Sequence, residues 1–214
     1  MTLRLALYSD VDHPDNDAMH QRLLALIGMP RPRVGYVASS PDPDRLYFGR
    51  TRDHYADLGA SLEGYVDEHA DDAAFATLLG CDAIHLSGGE TFEFLAWLQR
   101  RACLPALRTY ARERGVLVGV SAGAILMTPD IRSAAWCGDR EDAALADTRG
   151  LGLVPFSFLP HAGSPHADVP PPTAAMLAGH PSPLYACPDG SGVIVVDNEI
   201  EVFGAPIVVR APAK

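Results

Sequence analysis

A chain of 214 residues, 48% hydrophobic and 21% charged, carries enough apolar material for a substantial core and reads as one domain, 1–214. Its formal charge of -10 excludes nucleic acid and anionic membrane as partners, because both are polyanions. Cys81, Cys103, Cys137 and Cys187 show no C-x-x-C pair, no window is apolar enough to cross a bilayer, and the N-terminal apolar run is too short for a secretion signal. A soluble, cytoplasmic protein with reduced thiols is the expectation.

In chain order, Leu3–Tyr8 and Arg33–Ala38 are short β-rich runs, and Asp15–Met29 between them places Met19, Leu23, Leu26 and Ile27 on one helical side. Asp42–Leu58 follows as a second helix, Ser61–Val66 as a third strand and Ala73–Leu79 as a short helix. Asp82–Gly89 is a strand ending in glycines; Thr91–Arg100 and Cys103–Arg114 are helices; Val116–Val120 is the next strand. Strands that are apolar almost throughout, alternating with helices, predict a doubly wound α/β fold with a mostly parallel sheet covered on both faces. Nine of the 18 prolines then lie between Pro155 and Pro188, which predicts an extended loop with one helix near Thr173–Ala178. "SGVIVVDNEIEVFG" reads as a C-terminal β-hairpin within 191–210, turning at Asp197–Asn198 and extended by "PIVVR". Its apolar face is a candidate surface for a homodimer.

The chemistry centres on Gly119-Val120-Ser121-Ala122-Gly123, a G-x-S-x-G between a buried strand and a helix of small residues. A turn that tight clashes with larger side chains and leaves the serine strained with its Oγ exposed, which makes Ser121 a candidate nucleophile. The N–H of Ala122, with those of Gly88 or Gly89 from the earlier strand end "SGGET", would form an oxyanion hole. Glu90 and Thr91 of the same motif are candidate substrate-binding residues. A serine nucleophile needs a base. Of the eight histidines, His13, His20, His54 and His69 lie in polar surroundings and His85 within a strand; the candidates are His161 and His166 in "FLPHAGSPHADVPP". Local chemistry does not separate these two. Asp189 in "CPDGSG" is the candidate acidic partner, with Asp168 and Asp130 as alternatives. His161, His166 and Asp168 lack the spacing of a metal site, so neither metal nor cofactor is expected.

With S-G-G-E-T, G-V-S-A-G-A and F-L-P-H-A-G-S-P-H in one chain, the sequence resembles the peptidase E (aspartyl dipeptidase) family of serine peptidases. That resemblance implies a class I glutamine amidotransferase-like fold and cleavage of small peptides. The family's N-P-H segment maps to Ser164-Pro165-His166, and its P-E-G or P-D-G turn to Pro188-Asp189-Gly190. The implied triad is therefore Ser121, His166 and Asp189, with His161 on the substrate side. Where the dipeptidases carry T-N-D, this chain has Ser133-Ala134-Ala135-Trp136, which places Trp136 at the substrate and argues for a specificity other than aspartyl. An esterase or amidase using the same triad, or a non-catalytic binding protein on this scaffold, are the alternatives. An amidotransferase would need cysteine at the elbow and a His-x-Glu pair, and the chain has neither.

Overall fold

Five strands form the parallel part of the sheet: β1 (Arg4–Tyr8), β2 (Arg33–Val37), β3 (Ser61–Val66), β4 (Ala83–Leu86) and β5 (Val116–Val120), buried nearly throughout except for the edge strand β3. This computed structural model describes residues 2–140, 145–164, 169, 173 and 183–209. The helices are α1 (Asp17–Ile27), α2 (Leu46–Asp57), α3 (Asp72–Leu78), α4 (Thr91–Arg100), α5 (Leu104–Glu113) and α6 (Ala122–Leu126). Alternate residues of each strand face opposite layers. Leu5 and Leu7 of β1 pack with Phe92, Phe94, Leu95 and Trp97 of α4 and with Leu107 of α5. Ala6 and Tyr8 pack on the other side with Met19 and Leu23 of α1 and Tyr55 of α2. Each large apolar side chain buried this way contributes about 1.5–3 kcal/mol relative to exposure, so the two layers hold the sheet between them.

Further along the chain come β6 (Ser157–Leu159), β7 (Leu184–Ala186), β8 (Gly192–Val196), β9 (Glu199–Phe203) and β10 (Ile207–Val209). The seven-stranded sheet runs β3-β2-β4-β5-β1-β8-β9, with the antiparallel hairpin β8–β9 closing one edge beside β1. Its turn falls at Asp197–Asn198, as the sequence predicts. The third run does not extend that hairpin. β10 instead pairs with β7 in a separate sheet of order β10-β7-β6. The proline-rich segment is likewise not only loop, because it contributes β6 and β7. Each has three residues, too few for a periodic signal, and their parallel pairing joins positions far apart in sequence. The helix expected at Thr173–Ala178 lies, beyond Thr173, outside the described residues. Among the described residues no helix is long and apolar enough to cross a membrane.

α2 begins later than the sequence suggests. Arg45 takes φ 56°, and the Asp42 carboxylate accepts from the N–H groups of Leu46, Tyr47 and Phe48 at 2.9–3.0 Å. Asp42 therefore acts from outside the helix, taking up the orphan donors of its first turn.

A layer of buried histidines lies under the sheet. The Tyr55 hydroxyl contacts His85 Nδ1 at 3.0 Å, and the Tyr8 hydroxyl contacts His20 Nδ1 at 3.2 Å. Burial, with the nearby His54 adding to it, pushes His85 down to about 3 and His20 to about 4. Below pH 6.5 the unfolded chain protonates these rings while the folded one does not, so stability falls with pH until their folded values are reached. Between pH 6.5 and 5 the unfolding free energy should drop by on the order of 2–4 kcal/mol. Urea unfolding at the two pH values checks this, and His85→Gln should flatten the dependence.

Candidate active site

The strand-to-helix turn after β5 is set by two close backbone approaches. A Cβ on Gly119 would lie 2.5 Å from the Gly123 carbonyl, and one on Gly123 would collide with the Leu86 carbonyl oxygen of β4. Only glycine allows this crossing, and Ser121 between them sits at φ 50°, ψ −109°, a strained backbone for a residue with a side chain. The strain is held by hydrogen bonds. Ser121 N–H donates to Tyr8 C=O at 2.9 Å, and Ser121 C=O accepts from Ala124 and Ile125 at 3.0 Å. Gly123 N–H is taken by Ser87 C=O at 3.0 Å, while Ala122 N–H has no backbone acceptor among the described residues.

The neighbouring loop is fixed as firmly. A Cβ on Gly88 would stand 3.6 Å from Ser121 Cβ, so the glycine loop after β4 abuts the serine. Ser39, at the end of β2, accepts at its C=O from the Trp97 indole of α4 at 3.0 Å. Its Oγ donates to Gly88 C=O at 2.7 Å, and its N–H donates to Ser87 Oγ at 2.8 Å. Because the Gly88–Gly89 peptide is trans and planar, a Gly88 carbonyl turned toward Ser39 directs the Gly89 N–H the opposite way.

The imidazole at the serine is that of His161. Its Nε2 lies 2.9 Å from Ser121 Oγ, and its Nδ1 lies 2.6 Å from Asp189 Oδ1. This replaces the sequence assignment of His161 to the substrate side. His166, favoured there as the base, lies outside the described residues, as does Asp168. Asp130 is held elsewhere, by Arg132 and Thr148. His161 and Asp189 follow β6 and β7, whose pairing continues beyond the strands through Cys187 N–H to Leu159 C=O at 2.8 Å and Ala162 N–H to Cys187 C=O at 3.1 Å. That pairing brings them together across 28 residues of sequence. Burial pushes the Asp189 carboxyl up, but hydrogen bonds from Ser164 (2.6 Å to Oδ2) and His161, with a weaker one from Ser9, outweigh it and hold it below the ordinary carboxylate value. It therefore stays ionised at neutral pH and loses that state only on acidification below the usual carboxylate range.

A cleft of about 510 Å³ opens onto Ser121 and His161 at the carboxyl ends of β1, β2, β4 and β5. The chain order turns back between β2 and β4, and such a switch point is where parallel α/β sheets leave a crevice. Each of the four strands runs into a serine that lines this crevice: Ser9, Ser39, Ser87 and Ser121. Sequence reasoning missed roles for Ser9 and Ser39, which belong to no motif and are marked only by their position just past a strand end, and for Ser164, which lies in the S-P-H segment but enters it only as the approach to His166. Tyr36 stacks on His85 at 5.3 Å in the cleft lining. Asp10, Asp12 and Asp42 line it, and Arg50 is the only Lys or Arg among its described lining residues. Glu90 and Thr91 do not line it. Arg140 N–H donates to Glu90 at 2.7 Å, Thr91 N–H donates to Asp139 at 2.9 Å, and Thr91 is fully buried. Burial and then the adjacent Asp139 push the Glu90 carboxyl up. Trp136 is not among the described lining residues either; it packs against the cluster of Leu159, Ala162 and Leu184.

Residues 5–203 match the model of Peptidase family S51. The chain is 31% identical over 129 residues to a peptidase E of Streptomyces coelicolor, covering 60% of this chain and 51% of that one. It is 29% identical over 118 residues to a peptidase E of Citrobacter koseri, covering 54% and 48%. The chain thus spans about half the length of the curated relatives it matches. A solved structure from Listeria monocytogenes EGD-e, provisionally designated a peptidase E, superposes with a TM-score of 0.75 at 20% identity, covering 98% of this chain and 99% of that one. A peptidase from an acI-B1 Actinobacterium gives 0.60 at 15% identity, covering 98% and 95%.

Asp189→Asn should remove the charge that fixes His161 while leaving the fold in place. The rate at which a fluorophosphonate labels Ser121 should then fall by at least about 100-fold. Labelling at the unsubstituted rate would show that Asp189 does not act through His161.

Proposed function

The chain belongs to peptidase family S51, and on that premise we propose that it is a serine peptidase that hydrolyses small peptides through Ser121, His161 and Asp189. The observation that carries this reading is the continuous hydrogen-bonded line from Asp189 Oδ1 through the His161 ring to Ser121 Oγ, at 2.6 and 2.9 Å. Asp189 holds the proton on Nδ1, so Nε2 is free to accept the proton from Ser121 Oγ as that oxygen attacks the scissile carbonyl. The carbonyl oxygen takes up negative charge, which the N–H groups of Gly89 and Ala122 stabilise. Collapse of the tetrahedral intermediate breaks the C–N bond, and His161 returns its proton to the leaving amine. Water, deprotonated by His161, then attacks the acyl-enzyme, releases the acid and restores the serine.

The charge lining the cleft favours a short peptide over a simple ester. Asp10 and Asp12 suit an ammonium and Arg50 a carboxylate, and a small zwitterionic peptide carries both. An ester lacking them gains from neither. Aspartyl specificity is a finer question. Among the described residues lining this cleft, Arg50 is the one Lys or Arg that can pair with an acidic side chain of a substrate.

Hydrolysis of a panel of Asp-X, Glu-X and neutral dipeptides, beside simple esters, tests the reading. Dipeptides should be cleaved, and Ser121→Ala or His161→Ala should lower kcat by about 10³-fold or more. Arg50→Ala should raise KM for acidic dipeptides about tenfold and leave neutral ones within about twofold, the loss of one ion pair. Turnover surviving in Ser121→Ala would sink the mechanism. Cleavage of esters alone would favour the esterase reading.

A further inference from the structure

The proposed triad straddles two sheets. Ser121 follows β5 of the large sheet, whereas His161 and Asp189 follow β6 and β7 of the small one. The chain links the two sheets closely only on the Asp189 side, where residues 187–191 join β7 to β8; His161 lies 40 residues from Ser121 and has no such short link. Ser9 lies at their junction. It follows β1, the strand directly beside β5, and its N–H donates to Ser191 C=O at 3.0 Å. Its hydroxyl turns away from the large sheet and engages the other two members' segments. The His161 N–H donates to Ser9 Oγ at 2.7 Å, Ser9 Oγ–H donates to Cys187 C=O at 2.9 Å, and Asp189 Oδ1 lies 3.3 Å away. One hydroxyl thus fills both its roles, accepting from the segment that bears the histidine and donating to the one that leads to the aspartate.

Two features make this contact hard to replace. Ser9 is fully buried, so bulk water cannot take over for a lost hydroxyl. His161 adopts φ 57°, a conformation that a residue with a Cβ keeps only where its surroundings over-determine it. Its N–H bond to Ser9 is one of those determinants.

Resting on the triad reading above, we propose that Ser9 is a positioning residue that registers His161 and Asp189 of the small sheet against Ser121 of the large one. Although Ser9 lines the cleft, it is fully buried, and its role is to hold the base and acid rather than to bind substrate. It sets the Nε2–Oγ distance, on which proton transfer depends steeply, since a misplacement of about 1 Å can cost about 10²-fold. Removal of its oxygen leaves the nucleophile, base and acid present but loosely aligned.

The test is the kinetics of Ser121 labelling by a fluorophosphonate, read as kinact and KI and normalised to folded protein by thermal unfolding. Ser9→Ala should lower kinact about 10–100-fold with KI within about threefold. In a His161→Ala background the same substitution should change kinact by less than about twofold, because the group it positions is gone. A structural role alone would lower the melting temperature in both backgrounds and leave kinact of the folded fraction unmoved, which overturns the proposal. Equal losses of kinact in the two backgrounds overturn it as well. Should Ser9→Ala fail to fold, Ser9→Cys keeps the volume and weakens the acceptor, and the same kinact loss is expected. His161→Ala labelled at the unsubstituted rate would refute the triad and this role together. Slow labelling of His161→Ala beside normal labelling of Ser9→Ala refutes Ser9 alone.

Discussion

The contact between two sheets at the end of β1 is the constraint on which the rest of the site depends. The large sheet presents Ser121 on a turn that only Gly119 and Gly123 permit, and the small sheet presents His161 and Asp189. Each half is rigid by itself: the first through backbone hydrogen bonds to Tyr8 and Ser87, the second through the pairing of Leu159 with Cys187. Their registration has no such ladder. It rests on the packing of Phe156 and Phe158 with Leu5 and Leu7, on the short link 187–191 between β7 and β8, and on the buried hydroxyl of Ser9 with the bonds it makes to both segments of the small sheet. A hydrogen-bonded chain from carboxylate to imidazole to hydroxyl tolerates little error in distance, so a small number of polar contacts at this seam carries a disproportionate share of the geometry.

The cleft follows from the same architecture. Reversal of strand order between β2 and β4 leaves a crevice at the carboxyl ends, and the glycine loop after β4 forms the wall next to Ser121. The loop is held from behind by Ser39, which is itself anchored by the Trp97 indole in the α4 layer. Hydrophobic packing of a helix thereby sets the direction of a backbone N–H at the site. The buried Tyr55–His85 pair beneath the cleft does a related job, keeping an uncharged imidazole stacked on Tyr36.

Much of this was legible in the chain. Continuous apolar strands alternating with amphipathic helices gave the parallel sheet, with Ser61–Val66, Thr91–Arg100 and Val116–Val120 matching their expected bounds. The G-x-S-x-G spacing located Ser121 because its glycines answer a local steric demand. Asp189 was marked by its Asp-Gly turn, and it is the carboxylate at the His161 ring. Less legible were β6, β7 and the fate of β10. Three-residue strands have no period to detect, and an apolar run such as "PIVVR" does not encode which edge it will join.

The sequence by itself determined the elements, the elbow and the pair of histidines from which a base could come, because each depends on neighbours within a few residues. Tertiary structure decided which histidine meets Ser121, left Glu90, Thr91 and Trp136 out of the described cleft lining, and gave Ser9 its partners. His161 and His166 share one proline-rich stretch of sequence and one local chemistry. What brings His161 to the serine is the parallel pairing of β6 with β7 and a hydroxyl 152 residues earlier in the chain. Contacts over such separations leave no local pattern in the sequence and exist only once both sheets have formed.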